Sequence, residues 1–485
     1  MDARGLIESV PPDLLVGTVG DVAAARVVDL THDSRQIQPG WAFACVTGGR
    51  HDGHEFASGA VTDGASLLIV ERRLPLDVAQ IVVGDVRRAM GPIAAHVHGH
   101  PATRLTTVGI TGTNGKTTTA HLVASILRAD GRDTRVLGTL SGTRTTPEAP
   151  DLQRQLAGFV GEGADAVVME VSSHALALSR VNGMRFDVAA FTNLSQDHLD
   201  LHGSMEAYFR AKASLFTVGL TDRGVTNRDD PYGRLLLDGA DIEMTGFGLD
   251  DARDLEVGVS DHSFVWRGTP VHVPIGGRFN AYNSLAALTV GDVLGVDAAV
   301  GASGLAGSSA VAGRFEVVSE PRHPFGVVVD YAHTPDGLRE LLGTIRRDLG
   351  GGRIVCAFGC GGDRDRDKRP LMASAVMASA DLVVLTSDNP RSEDPDAIIG
   401  DALRGVETRD RDRLTVEPDR RRGIAAALAL AGPGDVVVVA GRGHESIQET
   451  RNGTFPFDDR VVARELLAEM FPADRSAPST NGAPA

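Results

Sequence analysis

The stretch that most constrains this chain joins an apolar strand to a helix through a glycine-rich turn, Gly112-Thr113-Asn114-Gly115-Lys116-Thr117-Thr118. The strand is predicted from Leu105 to Ile110, and an apolar stripe from Leu122 to Leu127 predicts the helix. In such a turn the glycines let backbone N–H groups close on phosphate oxygens, the lysine adds a cation, and a threonine offers its hydroxyl to Mg²⁺. The positive end of the helix dipole favours the same anion. The chain therefore predicts a phosphate-binding loop at the end of a strand.

The match to the longer phosphate-binding loop is incomplete. That loop has a glycine five positions before Gly115, where this chain has Ile110, so only the shorter pattern is present. A glycine- and threonine-rich turn without a ligand is the alternative. The strand before the turn, the helix after it and the Gly-Lys-Thr inside it favour phosphate binding.

Charge and composition restrict the partners. The 485 residues carry 48 lysines and arginines against 64 aspartates and glutamates, which gives a net charge of −16. This balance argues against nucleic acid as the main partner, so an anionic ligand would need a locally basic pocket. Three cysteines are too few for a disulfide framework, and neither a signal peptide nor an apolar run of about 18 residues is evident. We expect a cytoplasmic monomer that acts on small molecules and does not insert into membranes.

The order of apolar strands and helical stretches predicts an α/β fold in three domains. Residues 1–101 predict a small N-terminal α/β domain, 102–313 a central P-loop ATPase-type parallel sheet, and 314–472 a C-terminal Rossmann-like α/β domain. Residues 473–485 are rich in serine, proline, glycine and alanine, which predicts a disordered tail.

Polar residues follow the predicted strands of the central domain. Glu170 comes directly after the apolar run 166–169, and His198 lies in the loop after a second strand, 187–191. Because ligands of open parallel sheets bind beyond the carboxyl ends of strands, both side chains are expected near the phosphate-binding loop. With Thr117 they could complete a Mg²⁺ shell. The alternative is that each is an ordinary hydrogen-bonded loop residue.

The C-terminal domain repeats this arrangement with a different set of side chains. Its nearly uniform apolar strands are typical of a buried parallel sheet, and polar loops rich in glycine or proline follow four of them. Arg364 and Arg391 suit a carboxylate, because a guanidinium matches two oxygens, and Glu445 suits an ammonium. The loops therefore predict an amino-acid pocket, with a solvated group of loop charges as the alternative.

These motifs together resemble the Mur ligases, the ATP-dependent amide-forming enzymes of peptidoglycan precursor synthesis. The resemblance runs from Asp33-Ser34-Arg35 to Gly441-Arg442-Gly443-His444-Glu445, nearly the whole chain. The phosphate-binding loop is shared with related ligases, including folylpolyglutamate synthase. More specific to the members that extend UDP-N-acetylmuramoyl-L-alanyl-D-glutamate are Thr145-Thr146-Pro147-Glu148, Glu170-Val171-Ser172-Ser173-His174 and Asp388-Asn389-Pro390-Arg391.

The resemblance implies an ATP-dependent ligation. ATP would phosphorylate a carboxylate of the UDP-linked dipeptide, and the amine of a diamino acid would then attack the acyl phosphate and release phosphate through a tetrahedral intermediate. Activation is needed because a carboxylate is a poor electrophile, and positioning and charge neutralisation supply most of the catalysis.

The resemblance also implies roles for individual residues. The catalytic residues would be Lys116, Glu170, His198 and Lys212. ATP would contact Gly112 to Thr118 together with Asn283, Arg314, Asp330 and His333. The UDP-linked substrate would contact Ser34, Thr145, Thr146, Ser172 and Arg180. Mg²⁺ would be held by Thr117, Glu170, His198 and Lys212, the last as a carbamate (N6-carboxylysine), since this lysine matches one that family members carbamylate.

The choice of amino acid turns on Arg391. Members with Asp-Asn-Pro-Arg add diaminopimelate, whereas lysine-adding relatives lack the arginine. Charge complementarity supports the same choice, because diaminopimelate presents a distal carboxylate to the guanidinium, whereas lysine would present an ammonium. Its site would comprise Arg364, Asp388, Asn389, Pro390, Arg391, Gly441 and Glu445.

Several alternatives remain open at this level. They are a lysine-adding or other ligase of the superfamily, a catalytically silent nucleotide-binding paralogue, and a P-loop switch or motor protein. The segment 138–144 is shorter than usual in the family, and Leu178 stands where some relatives have glutamine, so recognition of the dipeptide is open as well. The sequence does not fix the stereoisomer of diaminopimelate.

Overall fold

The chain is organised around parallel β-sheets whose carboxyl edges carry the polar loops. The computed structural model describes residues 4–49, 51–142, 144–197, 199–258, 260–309 and 311–472. The predicted disordered tail, 473–485, lies outside the described residues, and so does His198.

The N-terminal part of the chain forms a mixed sheet with helices against it. Its elements are α1 (Arg4–Ser9), β1 (Leu15–Val19), β2 (Leu30–Thr31), β3 (Ala42–Ala44), α2 (Ala57–Thr62), β4 (Leu67–Val70), β5 (Ala79–Val83) and α3 (Val86–Val97). The strand order is β1-β5-β4-β3-β2, parallel except for the pairing of β1 with β5. Asp85 caps α3 by accepting a hydrogen bond from the Arg88 backbone, and the apolar face of α3 is buried.

The central part forms a parallel sheet followed by further helices. Its elements are β6 (Thr106–Thr111), α4 (Lys116–Ala129), β7 (Thr134–Leu137), α5 (Ala149–Gly161), β8 (Ala166–Glu170), α6 (Ser173–Ala177), β9 (Phe186–Phe191), α7 (Leu199–His202), α8 (Met205–Ala213), β10 (Thr221–Asn227), α9 (Pro231–Gly239) and β11 (Glu243–Phe247). The order is β11-β10-β9-β6-β8-β7. Strands β7 and β8 lie on one side of β6, and strands β9, β10 and β11 lie on the other side. The phosphate-binding loop, which follows β6, therefore lies at the switch point of the sheet, where such folds bind ligands.

An antiparallel sheet and two helices complete the central part. The elements are β12 (Arg253–Val257), β13 (His262–Trp266), β14 (Thr269–Val273), α10 (Arg278–Val293) and α11 (Ala298–Ala306). Strands β13 and β14 form a hairpin that turns at Arg267 and Gly268, both at positive φ. Helix α11 packs so closely on α4 that a Cβ at Gly304 would lie 2.7 Å from the Ile126 Cα, which holds the helix after the phosphate-binding loop against its neighbour.

The C-terminal part contains the last large sheet. Its elements are β15 (Glu316–Val317), β16 (Gly326–Asp330), α12 (Pro335–Asp348), β17 (Ile354–Phe358), α13 (Lys368–Ser379), β18 (Leu382–Leu385), α14 (Pro395–Leu403), β19 (Leu414–Val416), α15 (Arg420–Leu430), β20 (Val436–Ala440), β21 (Ile447–Thr450), β22 (Gly453–Pro456) and α16 (Asp459–Met470). The order is β15-β16-β20-β17-β18-β19, parallel except at β15, and β21 pairs with β22 as a separate hairpin. The α/β fold class is confirmed, while the exact domain boundaries stay predictions.

The helices in the described ranges include none that is both long and apolar enough to cross a membrane.

A buried ion pair supports the loops at the carboxyl edge of the C-terminal sheet. Arg420 forms two hydrogen bonds to the Asp459 carboxylate, of 2.8 and 2.6 Å, and both side chains are fully buried. The same guanidinium donates to the backbone carbonyls of Ser387, just after β18, and of Ala440, at the end of β20, two strands that lie on either side of β17. Arg442, also fully buried, lies 3.9 Å from Asp459 and 3.7 Å from Glu445. Asp459 therefore balances the buried charge of Arg420 and shares that of Arg442 with Glu445.

We expect Asp459→Ala to destabilise the C-terminal part strongly. Removing the carboxylate leaves the Arg420 guanidinium buried without its ion-pair partner, a loss of about 3–5 kcal/mol in the free energy of unfolding. Urea unfolding followed by circular dichroism measures it. The control is Glu465→Ala, which removes a partly exposed partner of Arg421 from the same helix and should cost less than about 1 kcal/mol. Equal losses for the two variants would contradict the prediction.

Candidate active site

A single cavity of about 1100 Å³ lies between the central and C-terminal parts of the chain. Lys116 of the phosphate-binding loop and Arg391 of the C-terminal loops both line it. Most of the residues predicted from sequence line the same cavity: Thr113, Asn114, Gly115, Thr117, Thr118, Thr145, Thr146, Glu170, Ser172, Arg180, Asn283, Arg314, Asp330, His333, Arg364, Asp388, Asn389, Gly441 and Glu445.

The phosphate-binding loop holds its lysine folded back on the loop. Lys116 Nζ donates hydrogen bonds to the backbone carbonyls of Gly112, at 3.0 Å, and Thr113, at 2.8 Å, and burial lowers the pKa of this amine. Gly115 has a φ of 83°, and a Cβ there would overlap the Asn283 side-chain oxygen. Gly112 does not line the cavity, but its backbone carbonyl accepts a hydrogen bond from Lys116. The loop is therefore closed around a cation whose charge is available to an incoming anion.

A threonine and a glutamate form an oxygen-rich corner beside this loop. Thr117 Oγ1 donates to Glu170 Oε2 at 3.0 Å, and the Thr139 backbone N–H donates to Glu170 Oε1 at 2.8 Å. Glu170 is buried, and Gly138 lies so close that a Cβ on it would overlap the carboxylate. Hydroxyl and carboxylate oxygens beside a phosphate-binding loop are ligands that suit Mg²⁺, which also keeps water and phosphate oxygens in its shell. The residues present fit this ion, although the described ranges contain no cluster of three His, Cys, Asp or Glu placed to hold a metal by themselves.

Lys212 lies behind the phosphate-binding loop, outside the cavity lining. Its side chain is 1% exposed, its Nζ donates to the Gly112 carbonyl at 2.7 Å, and it lies 4.6 Å from the centre of the Tyr208 ring. Burial, and after it the nearby charge of Lys116, lowers the pKa of Lys212 well below its ordinary value. Two amines therefore share one carbonyl oxygen, and this environment favours the neutral form of Lys212.

Arg314 connects the C-terminal part to the phosphate-binding loop. Its guanidinium donates to Thr117 Oγ1 at 3.2 Å and stacks 4.3 Å from the centre of the Tyr331 ring. Asp330 fixes the surrounding turn by accepting hydrogen bonds of 2.7 Å from the backbone N–H groups of Phe315 and Ala332. Burial raises the pKa of Asp330. These contacts bring the guanidinium of Arg314, from the C-terminal part, to the edge of the central sheet.

A second contact between the two parts involves residues that the sequence did not single out. Lys368, at the start of α13, lies 4.0 Å from Asp197 of the central part, and both line the cavity. His333 is half-buried beside them, its Nδ1 lies 2.7 Å from the Tyr331 carbonyl oxygen, and desolvation, followed by the charge of Lys368, lowers its pKa to about 4. Lys368 begins α13, four positions after the predicted Arg364, and this closeness in the chain is its one signal in the sequence.

The amino-acid end of the cavity is a network around Asn389. Its Nδ2 donates to Glu445 Oε2 at 2.6 Å, and its Oδ1 accepts from the Glu449 backbone N–H at 2.9 Å. Burial, and next the charge of Asp388, raises the pKa of Glu445. Arg391 pairs with Glu449, a carboxylate that sequence reasoning missed, at 2.9 Å. The end of the cavity thus offers a guanidinium and several carboxylates, which matches a molecule carrying both charges.

The opposite end is built from the segment after β7 and the start of α6. Thr146 Oγ1 donates to the Glu170 carbonyl at 2.8 Å and accepts from the Ser172 backbone N–H at 3.1 Å. Arg180 pairs with Glu148 at 2.8 Å and donates to the Thr146 carbonyl. Thr146 therefore links the guanidinium of Arg180 to the backbone of Glu170, beside the oxygens that suit Mg²⁺.

Some predicted residues stand apart from the cavity. Ser34 lies in a short turn that Asp33 caps, and it does not line the cavity. Pro390 lies behind the loop, where its carbonyl packs against Gly362. The predicted role of Ser34 receives no support from this arrangement.

Known protein families identify the class to which this fold and cavity belong. Residues 26–99 match the family described as "Mur ligase family, catalytic domain", residues 110–291 the "Mur ligase middle domain", and residues 313–443 the "Mur ligase, glutamate ligase domain". The chain belongs to the Mur ligase family.

Relatives within the family are similar over almost their whole length. The UDP-N-acetylmuramoyl-L-alanyl-D-glutamate–2,6-diaminopimelate ligase of Solibacter usitatus is 45% identical over 470 residues, 92% of this chain and 94% of the relative. The ligase of the same name from Streptomyces avermitilis is 41% identical, covering 96% and 97%. A solved structure of that name has 32% identity and a TM-score of 0.67, covering 97% and 99%. A MurF from Acinetobacter baumannii, at 19% identity and a TM-score of 0.65, shares the fold.

We expect Gly138→Ala to weaken binding of MgATP, used as a triphosphate probe. The added methyl would displace the Glu170 carboxylate from the Thr117 hydroxyl, so the dissociation constant should rise at least about tenfold, the equivalent of ~1.4 kcal/mol. Calorimetric titration of the purified protein measures it. Gly142→Ala is the matched control, because a Cβ there would meet only the Arg144 carbonyl at 3.9 Å. Unchanged affinity in the Gly138 variant would count against Thr117 and Glu170 as the residues that hold Mg²⁺.

Proposed function

We propose that this protein is an ATP-dependent ligase that joins diaminopimelate to UDP-N-acetylmuramoyl-L-alanyl-D-glutamate during peptidoglycan precursor synthesis. The observation that carries the proposal is the single cavity lined by both Lys116 and Arg391. A carboxyl group between them can meet a phosphate donor on one side and an amine on the other. The names of the relatives that cover most of this chain support the same substrates.

The first step activates the carboxyl group. A carboxylate oxygen of the dipeptide attacks the γ-phosphorus of ATP, the bond from that phosphorus to the β,γ-bridging oxygen breaks, and ADP and an acyl phosphate result. Lys116 and the backbone N–H groups of 112–118 would neutralise the phosphate charge, and Arg314 would approach it from the other sheet. The catalytic contribution of these residues is positioning and charge stabilisation rather than covalent chemistry.

Thr117 and Glu170, with His198 as predicted from sequence, would hold Mg²⁺. When bound, the ion would neutralise phosphate oxygens of the nucleotide. Glu170 is kept in place for this by Thr139 and by the lack of a side chain at Gly138.

The second step forms the amide. A neutral amine of diaminopimelate attacks the acyl carbon, the tetrahedral intermediate collapses, and phosphate leaves while the nitrogen loses a proton. Arg391 and Arg364 would hold the distal carboxylate, with Asp388, Asn389 and Glu445 around the distal ammonium. The peptide part would lie against Thr145, Thr146, Ser172 and Arg180.

The substrates implied are small molecules, and a cytoplasmic monomer fits such a reaction, without a nucleic-acid or membrane partner. A lysine-adding ligase is the second candidate, since lysine shares the reacting amine. Arg391 argues against it, because lysine would present an ammonium to the guanidinium.

We expect the purified protein to release phosphate from ATP only when the UDP-linked dipeptide and diaminopimelate are both present. Offered separately, meso- or LL-diaminopimelate should react faster than L-lysine. In Arg391→Met the KM for diaminopimelate should rise about 10- to 100-fold, because a charged hydrogen bond of ~1.5–3 kcal/mol is lost. The KM for lysine should change little, and Arg366→Met, which removes an exposed guanidinium, is the control. Faster turnover of lysine than of diaminopimelate would reject the assigned specificity, and no ligation at all would indicate a silent paralogue.

We also propose that Lys212 is carbamylated. Carbon dioxide reacts with the neutral form of an amine. Burial lowers the pKa of Lys212 and so increases the fraction of this amine that is neutral. Because the folded-state pKa is lowered, the neutral amine persists to lower pH than in an exposed lysine. A carbamate would add an anionic oxygen pair beside Lys116.

The test of carbamylation is a ¹³C nuclear magnetic resonance spectrum of the protein equilibrated with ¹³C-bicarbonate. We expect a carbamate carbonyl signal that disappears in Lys212→Arg, because the guanidinium stays protonated and does not react. Lys368→Arg serves as the control and should keep the signal. A signal that survives in the Lys212 variant would contradict the assignment.

A further inference from the structure

The hairpin formed by β21 and β22 lies across the loop that carries Arg391. Hydrogen bonds that involve the backbone join them: the Gln448 side chain donates to the Asp388 carbonyl at 2.6 Å, the Glu449 N–H donates to Asn389 Oδ1 at 2.9 Å, and the Arg391 N–H donates to the Glu449 carbonyl at 3.0 Å. Strand β21 therefore fixes the backbone of Glu449 relative to the amino-acid pocket.

The side chain of Glu449 then fixes the guanidinium of Arg391. Arg391 Nε donates to Glu449 Oε2 at 2.9 Å, and its Nη1 donates to the Gly362 carbonyl at 2.8 Å. Arg391 also has a φ of 52°, which few residues other than glycine adopt. Contacts at Nε and Nη1 set the rotation of the guanidinium, which lines the cavity and keeps Nη2 and the second N–H of Nη1 as donors for a carboxylate.

We propose that Glu449 is a positioning residue for amino-acid selectivity, acting through Arg391, and this rests on the proposed function. It holds the guanidinium in the orientation that receives the distal carboxylate of diaminopimelate, so less side-chain freedom is lost on binding. The Asp-Asn-Pro-Arg loop alone does not provide this restraint, because the carboxylate comes from the hairpin.

Repulsion between Glu449 and the bound carboxylate is the opposing effect. Two observations make it the smaller one. The Glu449 side chain is 47% exposed, so water screens its charge over the longer distance to the ligand. The distal centre of diaminopimelate also carries an ammonium beside its carboxylate, so Glu449 faces a zwitterion rather than a lone anion.

The test is steady-state ligation by the full-length protein with meso-diaminopimelate and with L-lysine. In Glu449→Ala the KM for diaminopimelate should rise about tenfold while kcat stays within about twofold, because one hydrogen bond to a charged group is lost. Glu449→Gln keeps an oxygen that accepts from Nε and should restore most of the affinity. The matched control is Glu465→Ala, whose carboxylate is equally exposed and pairs with Arg421 away from the cavity.

Coupling to Arg391 separates positioning from a general structural effect. In an Arg391→Met background, Glu449→Ala should raise the KM for diaminopimelate no further, since the side chain that it positions is gone. An unchanged KM in the single variant, a fall in kcat alone, or equal effects with and without Arg391 would overturn the inference. Failure of the proposed function is distinguishable, because the unsubstituted protein would then ligate no diaminopimelate in the same assay.

Discussion

The hydroxyl of Thr117 is the atom at which the two halves of the active site meet. It donates to Glu170 of the central sheet and accepts from Arg314, which enters from the C-terminal part. An acyl-phosphate mechanism requires the phosphate donor and the amine to reach one carboxyl group, so the edges of two sheets have to face each other. The contact at Thr117, with the pair of Lys368 and Asp197, brings charged groups of both parts to the place where phosphate would lie.

The architecture follows from where each parallel sheet presents its loops. In the central sheet the loop after β6 lies at the switch point, and in the C-terminal sheet the loops after β16, β17, β18 and β20 share an edge. The buried pair of Arg420 and Asp459 ties two of those strand ends together from beneath, by hydrogen bonds to the carbonyls of Ser387 and Ala440. Charged groups in the interior thus support the loops at this edge of the sheet.

Sequence reasoning gave the fold class and most of the residues around the cavity, because strand ends and glycine-rich turns are local signals. Contacts between distant segments carry no such signal. Glu449 lies on a short, exposed hairpin, and its pairing with Arg391 depends on how that hairpin folds back. Lys368 gains its interest only from Asp197, which is 171 positions earlier in the chain. For Ser34 the motif predicts a substrate contact from a turn that does not line the cavity, so that role stays a prediction.

The shared carbonyl of Gly112 has a consequence for how the enzyme would respond to its surroundings. While Lys212 is an amine, it and Lys116 both donate to this oxygen, at 3.0 Å from Lys116 and 2.7 Å from Lys212, so two amines lie side by side. Conversion of Lys212 to a carbamate would place an anion next to the cation of the loop, and the two groups would attract each other. The charge distribution around the nucleotide cradle would in that case depend on dissolved carbon dioxide.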